Sequence, residues 1–231
     1  MTSTQLKWIG VATMLIDHVG ALFFPHLIIL RIIGRLTFPI FAWSLALGVE
    51  RTHNWKRYLS RLVAFGFLSE IPYLLVRRVE TPEFIGLNVF FTLALGLLAI
   101  VFMKKAPIKA LGVLPVAVAA ILAEGLHVDY GAFGVALIVL FSLTLRAPKM
   151  LVLGMSTLYL LPHLFLLPEL RSLSTWNGYL EHCVQLFALC ALPLILSYRN
   201  EKEERPRSPL LFYILYPLQF LVLYALYVIL R

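Results

Sequence analysis

Charged side chains are scarce in this chain. Lys, Arg, Asp and Glu supply 14% of its 231 residues and hydrophobic types 61%, whereas soluble domains carry about a quarter charged residues. That shortage excludes a water-soluble globule and predicts an all-α integral membrane protein. Cysteine is equally sparse. Cys183 and Cys190 stand seven apart on one predicted helix, about 10 Å along its axis and too far apart for a disulfide. Nucleotide-binding glycine loops, a serine elbow and metal-ligand spacings are all missing. His163, His182 and Cys183 fit no familiar metal pattern. There is no internal repeat and no low-complexity tract. The formal charge of +8 does not indicate nucleic acid, because the basic residues sit in short loops between apolar runs, where they set topology.

What the chain has in abundance is apolar runs. Nine approach the length of about 20 residues that crosses a bilayer: 6–24, 28–49, 58–76, 87–103, 109–124, 131–145, 150–168, 180–198 and 209–230. They predict a polytopic bundle of about nine transmembrane helices. No polar stretch is long enough to fold alone, so residues 1–231 read as a single membrane domain. The first run lacks a small-residue cleavage site and carries Asp17 and His18, which makes it a retained helix. The amino-terminal end and every second loop hold fourteen of the twenty Lys and Arg residues, and the opposite side holds four. That bias predicts a cytoplasmic amino terminus, with 199–208 as the longest cytoplasmic loop.

The remaining two arginines lie inside a run. Asp17, His18, Arg31 and Arg35 fall within two consecutive apolar segments, where an unpaired charge is costly and a functional site is the default explanation. A turn centred near His26 places Asp17 and Arg35 at one depth and predicts an ion pair between them. Arg31, four residues before Arg35, shares its face. Asp17 and His18 are about 100° apart on their helix, so adjacency alone makes no carboxylate–imidazole dyad. Depth instead divides the four into a structural pair, Asp17 with Arg35, and a working pair, His18 with Arg31. Glu70 and Asn88 are the candidates to orient His18. Asn88, Thr92 and Gly96 form a small-residue stripe. Pro39 and Pro72 are positioned to kink their helices. Each feature also has a purely structural reading: a buried pair, a bundle histidine, a packing stripe and, for Glu124, His127 and Asp129, a solvated loop.

A histidine that cycles its proton is a general base, and two arginines can hold phosphate or an oxyanion. Together they suit group transfer within a membrane. A proton-coupled transporter would use Asp17, Arg35 and Glu70 as a relay, although the missing repeat counts against it. A non-catalytic scaffold for envelope assembly is the third reading.

Four blocks, read together, resemble the TraX family: Ile16-Asp17-His18-Val19-Gly20, the stretch RIIGRLTFPIFA from Arg31 to Ala42, Ser69-Glu70-Ile71-Pro72-Tyr73, and Asn88-Val89-Phe90-Phe91-Thr92-Leu93. The resemblance is strong over residues 1–100 and continues beyond them in hydropathy. It implies a multi-pass protein of the bacterial inner membrane that moves an acyl group from cytoplasmic acyl-CoA to an outward-facing acceptor. The founding activity of the family is acetylation of the amino terminus of conjugative pilin. Acetyl-CoA would then be the co-substrate, without a metal, and the acceptor a pilin-like peptide, a sugar or a small molecule. His18, Asp17 and Glu70 would form the catalytic set. Arg31, Arg35, Asn88, Thr92, Tyr216 and Gln219 would contact the substrates. One position departs from the pattern of the group: Tyr216-Pro217-Leu218 is followed by Gln219, where members commonly carry His. Glutamine cannot titrate but still donates and accepts hydrogen bonds.

Overall fold

A computed structural model describes residues 1–165, 183–199 and 210–230. Their regular structure is helical, with one isolated parallel bridge between Leu87 and Val128. Helix α1, Ser3–Phe23, opens on a Thr2–Gln5 capping box. Helices α2, Ile28–Gly34, and α3, Thr37–Arg51, follow a short turn. Asn54 caps α4, Trp55–Glu80, and Asn88 caps α5, Val89–Lys105. A 3-10 turn at Lys109–Gly112 leads into α6, Val113–Gly125, and then come α7, Gly131–Thr144, and α8, Pro148–Phe165. A second 3-10 turn, Val184–Cys190, precedes α9, Ala191–Leu196, and α10 is Leu211–Leu230.

Each apolar run thus contains helix, but helix is not the same as span. Among the described residues, four stretches are long and apolar enough to cross a membrane: Ser3–Phe23, Ile28–Arg51, Trp55–Glu80 and Leu211–Leu230. Helices α6 and α7 have 13 and 14 residues and rise about 20 Å, short of the roughly 30 Å hydrocarbon core. Hydropathy marks where helices form; among the described residues four rather than nine of the expected runs are helices both long and apolar enough to span. His182 and, apart from Arg199, the expected loop 199–208 lie outside the described residues.

The chain divides into two compact units. One takes Met1–Phe41 and the described residues of Ala147–Pro206; the other takes Ala42–Arg146 and those of Arg207–Arg231. In the first, α1 packs along α2 and the start of α3 through Gly10, Thr13, Asp17 and Gly20, spaced three, four and three residues apart so that they share one helix face. A Cβ at Gly10 would stand 3.0 Å from the Phe41 ring, and one at Gly20 would stand 2.6 Å from Leu30 Cβ. The two Thr hydroxyls of this seam, Thr13 and Thr37, meet at 2.9 Å. Pro39 is the third residue of α3, a position where its missing N–H is tolerated. It leaves the Arg35 carbonyl without its usual helical donor, and the chain breaks between α2 and α3 at that point.

In the second unit α4 packs against both α5 and α10, while α5, α6 and α7 pack on one another. Phe141, Phe220, Leu62, Leu97, Ile100, Leu137 and Ile138 fill its interior. Gly96 lets α5 approach α7, since a Cβ there would lie 2.5 Å from Ile138 Cδ1.

Candidate functional site

Within the first unit the hairpin gathers three of the four polar residues on one carboxylate. The Arg35 Nη2 donates to both Asp17 oxygens at 2.9 Å, and its Nε donates to the Arg31 carbonyl at 3.1 Å. Arg31 Nη1 reaches Asp17 Oδ1 at 3.0 Å and the Asp17 carbonyl at 3.2 Å. The geometry has a local cause. Arg31, Gly34 and Arg35 are i, i+3 and i+4, so they share a face of α2. Gly34 sits between the guanidiniums, and any Cβ on it would overlap the Asp17 side chain. The glycine is the seat on which the carboxylate rests.

The expected Asp17–Arg35 pair is therefore present, but Arg31 does not stand apart from it. Arg31 joins the same carboxylate, because its side chain spans the one helical turn that separates it from Arg35 in depth. Arg35 is buried and Arg31 about a third exposed (31%). Among the described residues only Nη1 of Arg31 is hydrogen-bonded, which leaves donors on the same guanidinium for another group. His18 follows on α1, half-buried.

The second unit holds the other candidates. Asn88 is fully buried and stitches α4 to α5. Its Oδ1 accepts from Phe90 N–H at 3.0 Å and caps α5. Its Nδ2 donates to the Gly66 carbonyl at 2.7 Å and to Glu70 Oε2 at 2.6 Å. Its backbone N–H adds a contact of 3.3 Å to the same oxygen. Glu70 Oε2 is thereby held from two sides. The other oxygen, Oε1, is buried with no hydrogen-bond partner among the described residues, an arrangement that costs about 1–3 kcal/mol for a neutral group and more for a charged one. The Asn88–Thr92–Gly96 stripe does three separate jobs: Asn88 ties α4, Thr92 donates to the Asp129 carbonyl, and Gly96 meets α7.

The loop between α6 and α7 is part of this scaffold rather than a merely solvated segment. Leu87 N–H donates to the His127 carbonyl at 3.1 Å, and Asp129 N–H donates to the Leu87 carbonyl at 2.8 Å. Glu124 accepts from Ala132 N–H at 2.7 Å and caps α7. His127 and Tyr130 hold left-handed backbone angles, φ 51° and 66°, which are uncommon for residues with a side chain. Tyr216 of α10 is buried, its ring 5.0 Å from both Phe90 and Phe220, and its hydroxyl faces the Val89 backbone N–H. Gln219, one turn later, has a buried Nε2 with no hydrogen-bond partner among the described residues.

The chain matches the family model described as TraX protein over residues 2–227. It belongs to the TraX family. Among similar proteins, a probable fimbrial assembly protein FimC (serogroup H1) of Dichelobacter nodosus is 27% identical, with 95% of this chain and 93% of that protein aligned. An uncharacterized protein of Rickettsia prowazekii is 27% identical over 139 residues, 58% of this chain and 52% of its own length. No solved structure matches. With its apolar helices, this TraX chain is a membrane protein.

Sequence reasoning missed several residues that position the TraX candidates. Gly34, Gly20 and Thr13 shape the Asp17 cluster, and the glycine between the two arginines of RIIGR was the available signal. Tyr73 and Arg77 were also missed. Arg77 pairs with Glu80 at 2.5 Å and lies 4.5 Å over the Phe84 ring. The Tyr73 ring lies 5.8 Å from Phe84 and 5.6 Å from Phe220. Their i, i+3, i+7 spacing from Glu70 was the sign that all three share one face of α4.

Proposed function

We propose that this TraX-family chain is an integral membrane acyltransferase that moves an acetyl group from acetyl-CoA to an outward-facing amine or hydroxyl. His18 is the general base that takes the acceptor proton as the new bond to the acetyl carbon forms and the thiolate of CoA departs. Asp17 and Arg35 hold the helix that carries His18 in one place, which is how a base becomes effective. The spare donors of Arg31 suit an anionic part of a substrate or the oxyanion of the transition state. Glu70, Asn88, Thr92, Tyr216 and Gln219 serve the acceptor. The chain works in the bacterial inner membrane with its amino terminus in the cytoplasm, the side from which acetyl-CoA comes. A pilin-like peptide is one acceptor consistent with a relative named for fimbrial assembly; a sugar or a small molecule is the other.

The observation that carries this reading is the braced hairpin: a carboxylate held by two guanidiniums on a glycine seat, one residue before His18 on the same helix. A proton relay would need Asp17 to exchange its partners, and both of its oxygens are engaged by Arg35 and one also by Arg31. The test is purified protein in lipid with labelled acetyl-CoA and candidate acceptors. Transfer is expected for the native chain and a loss of at least a hundredfold for His18→Ala. No transfer to any acceptor, together with no CoA binding, would overturn the proposal.

A further inference from the structure

The second unit gathers its basic residues at one end. Glu50, the penultimate residue of α3, binds Lys104 of α5 at 2.7 Å and Arg146, just past α7, at 3.2 Å. Trp55, the first residue of α4, packs on Phe102 of α5 with ring centroids 6.1 Å apart. The Nζ of Lys105 lies 4.9 Å from the Trp55 ring, and that of Lys56 6.0 Å from it. These contacts bring the ends of α3, α5 and α7 and the start of α4 to one rim. The segments that form it, 50–61, 104–109 and 146, hold eight Lys and Arg residues and one acid, Glu50. Lys104 and Arg146 occupy that acid. Lys56, Arg57, Lys105 and Lys109 are exposed and pair with no carboxylate among the described residues.

Two of these cations stand where a helix by itself disfavours them. Lys104 and Lys105 complement the negative pole at the end of α5, but Lys56 and Arg57 lie in the first turn of α4, beside its positive pole. Setting topology needs basic residues only somewhere in the loop. A phosphate seated at the start of α4 would offset this repulsion, as anions do at helix amino termini. The neighbouring surface is apolar: Phe102, Ile108, Leu111, Val113 and Leu114 are all exposed. The 3-10 turn at Lys109–Gly112 folds back on the end of α5, where a Cβ at Gly112 would stand 3.2 Å from Met103 Cγ. Cations and bare apolar side chains therefore alternate from 102 to 114, with an indole of the kind that sits at headgroup level beside them. A soluble phosphate would use the charges alone. A phospholipid supplies a headgroup for the first and acyl chains for the second.

We infer that this rim is a binding site for an anionic phospholipid, its phosphate against Lys56, Arg57 and Lys105 beside Trp55 and its acyl chains against Phe102 and the apolar side chains of 108–114. The site is independent of acyl transfer. The full chain is placed in nanodiscs of phosphatidylcholine containing either phosphatidylglycerol or phosphatidylcholine with brominated acyl chains, since bromine quenches an indole that it touches. The Trp55 signal is the emission lost in Trp55→Phe. Each basic residue at an anionic surface strengthens attachment about fivefold, so brominated phosphatidylglycerol should occupy the site in the native protein at least about fivefold more tightly than brominated phosphatidylcholine. Replacing Lys56 and Lys105 together by Gln should remove most of that preference. Lys149→Gln, which changes an exposed lysine of the other unit, should leave it intact; an equal loss there would reduce the site to diffuse surface charge. Excess CoA, which carries phosphates without lipid chains, should not relieve the quenching. Relief would assign the rim to a soluble phosphate compound and overturn the inference. Equal quenching of the native protein by the two lipids would overturn it as well, and that comparison needs no variant of the basic residues to fold.

Discussion

Two half-buried carboxylates of this protein, Asp17 and Glu70, are held in opposite ways. Asp17 has both oxygens occupied by guanidinium groups and its side chain pressed onto a glycine. Glu70 has one oxygen doubly occupied by Asn88 and the other empty of protein partners among the described residues. A fully satisfied polar network in a low-dielectric interior makes a structure rigid and specific, whereas a half-satisfied one is a cost the fold bears without a ligand. The first arrangement positions its helix; the second leaves one carboxylate oxygen unsatisfied by the described residues. A residue's charge and depth do not distinguish these cases. The partner count of each oxygen does.

Substitutions can break or sharpen this contrast. Asp17→Ala should have the largest effect on stability, about 3–5 kcal/mol, because it strands a buried arginine. Reversible unfolding in mixed detergent micelles would measure it, and a loss under about 1 kcal/mol would mean that the cluster is not the brace described here. Gly34→Ala comes next at about 1–3 kcal/mol, since the added methyl overlaps Asp17 and one helix must shift. Its distinguishing feature is that Gly34→Ala and Asp17→Ala should be strongly non-additive in a double-mutant cycle, as residues in contact are. Asn88→Ala should cost about 1–3 kcal/mol through the lost cap and the newly orphaned Glu70 Oε2. Replacing both Asn88 and Glu70 by apolar residues should cost less than the sum of the two single changes. The smallest effect is expected for Glu50→Gln. Its partners Lys104 and Arg146 stand at 2.7 and 3.2 Å but are exposed, so about 0–1 kcal/mol is at stake, declining further as salt is raised in the same unfolding assay.

The sequence made some of this visible and hid the rest for identifiable reasons. Counting outward from the turn at His26 matched Asp17 with Arg35, because helical rise converts residue number into depth. The same count could not show that Arg31 reaches Asp17 as well, since a guanidinium on a long side chain covers a full helical turn. Gly34 stood in plain view between two arginines, yet the use of a glycine appears only when its partner helix is known. Asn88 and Glu70 were legible as neighbours in depth. The asymmetry between the two Glu70 oxygens was not, because it depends on hydrogen-bond directions. Helix positions followed the apolar runs closely, while spanning length did not, because α6 and α7 are cut short by Gly125 and by the left-handed turn at Tyr130–Gly131.

The α4–α10 packing has a consequence for the order in which the protein is made. The Asp17 cluster draws on residues 17 to 35 and can close as soon as the first hairpin has left the ribosome and entered the bilayer. The surface containing Glu70 and Gln219 cannot exist until Leu211–Leu230 has been synthesised and has found α4 among helices already inserted. A nascent chain stalled before α10 would carry a finished brace and an α4 with one packing face uncovered. The packing that buries Tyr216 and Phe220 is therefore acquired after the brace, by a helix that must return to one made far earlier.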